Sequence, residues 1–259
     1  MQPVSSASVF NEETNPMKPL KFIFPLVAGI LLQACTDFMC IEGNGNRVRE
    51  SRSQPDFYGV ISQGDFEVFI DIDTSIIHPE ITIEADENLL PFIGTRVRNE
   101  NLEIYSTNRH CFESDGPVIV DICMNYLDYV KLEGSGVIHN DNLSTDQLRL
   151  DLTGSGIIEF LNLELSYLDV RHSGSGRVEA SGSCDHSDLD LSGSGTIWTY
   201  HLEQSASNIN LSGSGDIYAW AWDFLNIDIP GSGTVYYRVK PSEFHVHISG
   251  SGEARLFNK

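Results

Sequence analysis

Three aromatic residues, Trp198, Tyr218 and Tyr236, each stand five residues after the first glycine of a Gly-Ser-Gly triplet, and Tyr200 and Trp220 stand seven after. Flat rings with polar tips, repeated at one phase, are suited to stacking on a sugar face or a protein surface. Such a strip, if exposed, marks a contact surface. These five residues are the candidate ligand-binding set, for a glycan or a protein ligand. A neighbouring subunit could cover the same strip, so a homo-oligomer belongs among the expected partners.

A second group of residues could do acid–base or metal chemistry. Asp188 and Asp190 share repeat offsets with Asp151, Asp169, Asn208 and Asn210. Paired carboxylates of this kind can serve glycoside cleavage or hold calcium through oxygen. His245 and His247, with Asp228 one repeat earlier, could hold a metal. The same offsets are polar in every repeat, however, which is the pattern of a face that meets water. His172 falls in an otherwise aliphatic column and reads as a core histidine with its own hydrogen bonds. There is no Gly-x-Ser-x-Gly context for a serine nucleophile and no nine-residue calcium repeat. The expectation is therefore a protein that is not an enzyme, with no catalytic residue, metal or cofactor. A β-helical glycan-active enzyme and a structural envelope spacer are the alternatives.

The cysteines carry covalent chemistry. Lys18 and Lys21 precede an apolar run from Phe22 to Leu32, and Leu32-Gln33-Ala34-Cys35 follows. The run is too short to span a bilayer, where about 20 residues are needed, and has the order of a cleaved secretory signal. Ala34-Cys35 resembles a lipobox, so Cys35 is the expected lipidation site and the membrane a partner through that anchor. Met17 makes a better signal start than Met1, so the gene start looks over-extended. Cys40, Cys111, Cys123 and Cys184 then face an oxidising compartment, where disulfides are permitted. Cys111 and Cys123 flank the turn Glu113–Pro117 and are the expected pair.

What must position all these groups is a repeat. Gly-Ser-Gly starts at residues 134, 154, 174, 193, 213, 231 and 250, at spacings of 20, 20, 19, 20, 18 and 19. Four residues before each first glycine stand Val130, Leu150, Val170, Leu189, Ile209, Ile227 and Val246, and four after stand Ile138, Ile158, Val178, Ile197, Ile217, Val235 and Ala254. Within each arm the aliphatic positions are two apart, the period of a strand. One turn at one phase argues for stacked parallel coils, not hairpins, with like residues about 4.8 Å apart. The glycines suit a tight corner, where the intervening serines could stack as a hydroxyl ladder. Residues 45–130 also alternate, as in Phe66, Val68, Ile70 and Ile72, but without the triplet.

The expected organisation is a leader over residues 1–34, a lipidated tether over 35–44, an irregular β part over 45–130 and the regular solenoid over 131–259. The chain has 16 Lys and Arg against 37 Asp and Glu, a net charge of -21. Removing two Lys and two Glu with the leader leaves 14 against 35 and the same balance. Nucleic acid is therefore not an expected partner.

Cys40-Ile41-Glu42-Gly43-Asn44-Gly45, the strands from Phe57 to Phe69, Glu84-Ala85-Asp86-Glu87-Asn88-Leu89-Leu90 and the Gly-Ser-Gly coils together resemble the putative auto-transporter adhesin, head GIN domain family of bacterial lipoproteins. The resemblance covers roughly residues 40–259 and implies a right-handed parallel β-helix-like solenoid with coils of about 20 residues. It also implies an adhesion role, and the leader and lipobox set the expected place in the cell envelope, as an outer-membrane lipoprotein facing the periplasm or the surface. It brings no catalytic residues.

Overall fold

The computed structural model describes residues 40–257, so the leader and Cys35 lie outside the described residues. These described residues form one compact unit. It is all-β, a parallel solenoid of about six turns with an added cap.

The aliphatic columns stack in register. Val130, Leu150, Val170, Leu189, Ile209, Ile227 and Val246 are successive partners on the arm before the corner. Ile138, Ile158, Val178, Ile197, Ile217, Val235 and Ala254 are partners on the arm after it. All but the last residue of each column are buried, because alternation sends one side chain in and the next out. A short third arm closes each of the middle coils, including Leu143, Leu163 and Leu202 among its inward residues.

The corners are held by main chain. The Ser214 N–H donates to Gly193 O at 3.0 Å, and the Gly215 N–H to the same oxygen at 3.3 Å. Among the corner glycines, positive φ occurs only at the first corners, as at Gly134 and Gly154, so close stacking and not handedness is their common demand. The hydroxyl ladder does not form. Ser194 and Ser214 are exposed, and their coils are already joined by the main-chain bonds.

The irregular part enters the same stack. Gly134 lies over Gly64, so Gln63-Gly64-Asp65 is a further corner without the triplet. Asn101–Ser106 and Val118–Met124 add a parallel layer beyond it. Antiparallel strands Arg47–Arg52, Glu80–Asp86 and Ile93–Arg98 then close that end. The outermost two carry Arg47, Arg49, Arg52, Arg96 and Arg98, charges of the kind that keep a sheet edge from pairing further.

The disulfide is Cys40–Cys111, which corrects the pairing of Cys111 with Cys123. Ile41–Glu42 pairs in parallel with Phe112–Glu113 and brings Cys40 beside Cys111, with Cα atoms 4.5 Å apart. Cys123 sits inside the strand Val118–Met124, opposite Asp71 and Glu80, and is a free thiol, as is the buried Cys184.

Candidate binding site

The arm after the corner carries the predicted ring ladder. Trp198, Tyr218 and Tyr236 are register partners. Their ring centroids are 4.2 and 4.6 Å apart, and the two tyrosines are nearly parallel at 10°. The Arg177 guanidinium extends the stack, 5.3 Å from the Trp198 ring. These three rings are half-buried, not fully exposed. Phe257 packs edge-on against Tyr218 at 5.4 Å and Tyr236 at 5.5 Å. Burial, then Asp216, pushes the Tyr218 hydroxyl pKa upward.

Tyr200 and Trp220 do not continue the ladder. Tyr200 is only 8% exposed, covered where an open strip would leave it bare. The pairing slips between Glu179 and Ser181, which face Trp198 and His201, so the later strand holds an extra residue. Thr199 is buried there, whereas Tyr200 stays beside the ladder rings, 5.9 Å from Trp198, and is covered by Phe257 at 5.5 Å. Trp220 lies in the break between two strands with its ring 3.8 Å from the Arg238 guanidinium, which also covers Tyr200 at 5.0 Å.

The polar face of the arm before the corner is engaged with itself. Arg149 bonds Asp151 at 2.9 Å and Arg171 bonds Asp169 at 3.1 Å. Asn208 donates to Asp188 at 2.9 Å and Asn210 to Asp190 at 2.8 Å. Although burial works against it, hydrogen bonds from Tyr167 and Asn208 and the nearby His186 hold Asp188 below the usual carboxylate range. His247 does face Asp228, but His245 pairs with Glu243 at 2.9 Å. Among the described residues no group of three or more His, Cys, Asp or Glu could hold a metal. His172 is buried, with its ring nitrogens 2.9 Å from Gly176 O and 3.3 Å from Leu152 O.

The third arm forms a feature the sequence did not reveal, a groove of about 720 Å³ running across successive coils. Leu143, Leu165, Cys184 and Gln204 make its floor and are buried. Asp146, Glu164, Asp185 and Glu203, one from each coil, line it. None of the four is ion-paired among the described residues, and the Trp222 indole N–H donates to Glu203 at 2.9 Å. Tyr126 and Trp222, 42% and 46% exposed, complete the lining from the coils before and after. Burial pushes the Cys184 thiol up to about 11, so it stays protonated and is no nucleophile at neutral pH. The trough can hold an extended ligand bearing hydroxyl or cationic groups, with rings to stack on. The glycine phase is too far from this arm to index it, since the spacing varies by up to two residues there.

A family model described as "Putative auto-transporter adhesin, head GIN domain" matches residues 56–241. No protein of curated function matches the chain. A crystal structure of a putative adhesin from Bacteroides fragilis superposes with a TM-score of 0.76 at 20% identity, over 84% of this chain and 100% of that one. One of a putative lipid binding protein from Parabacteroides distasonis gives 0.71 at 22% identity, over 84% and 99%. A putative adhesin from Parabacteroides merdae gives 0.63 at 19% identity, again over 84% and 99%. At these identities the likeness is one of fold. Among the described residues no helix is long and apolar enough to cross a membrane.

Proposed function

Since the chain belongs to the putative auto-transporter adhesin, head GIN domain family, we propose that it is a non-catalytic adhesion module of the cell envelope, held to the outer membrane by lipid on Cys35, and that its groove grips an extended glycan. The observation that carries this reading is the groove itself. Four carboxylates that make no ion pair among the described residues and two exposed rings line one trough along a rigid stack. Stacked coils fix these groups before the ligand arrives, which lowers the ordering cost of binding. Sugars suit such a site because carboxylates accept from hydroxyl groups while rings cover the apolar sugar face. Trp198, Tyr218 and Tyr236 offer a second contact strip through their uncovered edges. The non-catalytic part of the reading is supported by the engaged state of the acids on the neighbouring face, where arginine, tyrosine or asparagine already bonds Asp151, Asp169, Asp188 and Asp190.

The test is a glycan array with the soluble body, residues 40–259, followed by affinity measurements on any hit. Glu164→Gln with Trp222→Ala should weaken a genuine hit at least tenfold, about 1.4 kcal/mol, and leave the sugar chemically intact. Binding unchanged in that double variant would remove the groove from the reading, and cleavage of the glycan would overturn the non-catalytic assignment.

A further inference from the structure

The two ends of the stack are finished differently. At the cap, Ile81 and Ile93 are each only 2% exposed. At the other end, Glu243–Ile248 and Glu253–Leu256 pair on one side only. Their inward positions lie open, with Val246 at 41%, Ile248 at 42% and Leu256 at 50% exposure. One coil earlier, Ile227 and Ile229 in the same columns are at 0%. The open end therefore presents an apolar column and two unpaired strand edges together, the combination that templates strand addition.

We infer that this end is the interface for a second copy of the chain, joined open end to open end about a two-fold axis through the last Gly-Ser-Gly corner. Ile248 and Ala254 lie three residues to either side of Ser251, and Val246 and Leu256 lie five. A two-fold axis at the corner reverses the second coil, so each strand before a corner runs antiparallel over the strand after the other corner. Ile248 then meets Ala254 of the second copy, and Val246 meets Leu256 of the second copy. Both pairs repeat by symmetry, and the backbone edges gain partners in the same step.

Charge points to the same occupant. The chain carries -21, yet at this end residues 240–257 hold Lys240 and Arg255 against Glu243 and Glu253, a balance of zero. Two strongly acidic molecules can therefore meet here without local repulsion. Stacking onto the cap instead would bring the open apolar edge against arginine-bearing strands with covered interiors. An isologous contact of this type closes at two copies and gives no fibre. Cys40 lies at the capped end through its bond to Cys111. On the reading that Cys35 carries lipid, the pair would hold its anchors at opposite ends of a rod and join two facing membranes.

Sedimentation of the body over residues 40–259 should show a dimer that dissociates on dilution. Val246→Lys with Ile248→Lys should leave a monomer that melts like the parent diluted to its monomeric state, since both side chains are open to solvent in the single molecule. Ser251→Cys in a Cys123→Ser background should give a covalent dimer on mild oxidation, whereas Arg98→Cys at the cap should not. A body that stays monomeric at every concentration, a dimer indifferent to the lysine pair, or cross-linking at Arg98→Cys and not at Ser251→Cys would each overturn the arrangement. Vesicles displaying the body by its N-terminus should cluster with the parent and not with the lysine pair. Dimers without clustering would overturn the bridging geometry alone.

Discussion

Gly213 sits so close upon Gly193 that a β-carbon built on it would lie 1.9 Å from the Gly193 carbonyl oxygen. That oxygen also accepts the Ser214 N–H, so it cannot withdraw without breaking the corner. Gly213→Ala should therefore force two coils apart and cost about 3 kcal/mol, at the upper end of overpacking penalties. Ser214→Ala removes an exposed hydroxyl and should stay within about 0.5 kcal/mol of the parent. Urea unfolding of the two variants gives the comparison, and equal losses would mean that the corner tolerates separation.

Leu211 has no exposed surface and lies in the inward column beneath the corner. Leu211→Asp would bury a carboxylate with no cation or donor prepared for it, a cost of several kcal/mol. That is comparable to the whole stability of many domains. A lost or strongly lowered thermal transition is the expected outcome.

The parts of the fold legible in the sequence are those that repeat at the glycine phase. Val130 through Val246 could be aligned because one corner sets the register of two arms. Legibility ended where the count is broken. Phe257 and Arg238 cover Tyr200 from positions far along the chain that no offset announces, and the variable spacing of the third arm hid Leu165, Cys184 and the four groove carboxylates. Gly64 makes a corner that the sequence does not mark, because it lacks the triplet that marks the others. Cys40 and Cys111 meet through a two-residue strand pair that no local pattern announces.

That strand pair makes a clear prediction for the thiols. Peptide mapping without reduction should find Cys40 linked to Cys111, with Cys123 and Cys184 free. The bond closes a chain separation of 71 residues, so its loss through Cys111→Ser should destabilise by about 4 kcal/mol on the loop-entropy account. At pH 8 a native-state thiol reagent should leave Cys184 almost untouched, since burial pushes it up to about 11, and label it only after unfolding.

The three tryptophans should divide by environment. Trp222 is 46% exposed, whereas Trp198 is held between Arg177 and Tyr218 and Trp220 lies under Arg238. A neutral quencher should reach one fraction easily, and Trp222→Phe should remove that fraction. If Trp198→Phe removes it instead, the ladder is the open surface and the groove rim is closed.

Two tyrosines should make the molecule sensitive to alkali. Burial and then Asp151 push the Tyr129 hydroxyl up to about 12, and a hydrogen bond to Asp188, then burial, does the same for Tyr167. In the unfolded chain both should ionise near the ordinary value of about 10. A raised pKa in the folded state means the neutral phenol is favoured by folding, so the contribution is intact below about pH 10 and is lost as pH climbs toward 12. Tyrosinate absorbance should thus show a late fraction among the 9 tyrosines, accompanied by falling stability across that window. Tyr167→Phe keeps the ring but has no proton to lose. Its stability should fall less steeply with pH than the parent's, and an identical slope would show that the Tyr167–Asp188 bond does not form in solution.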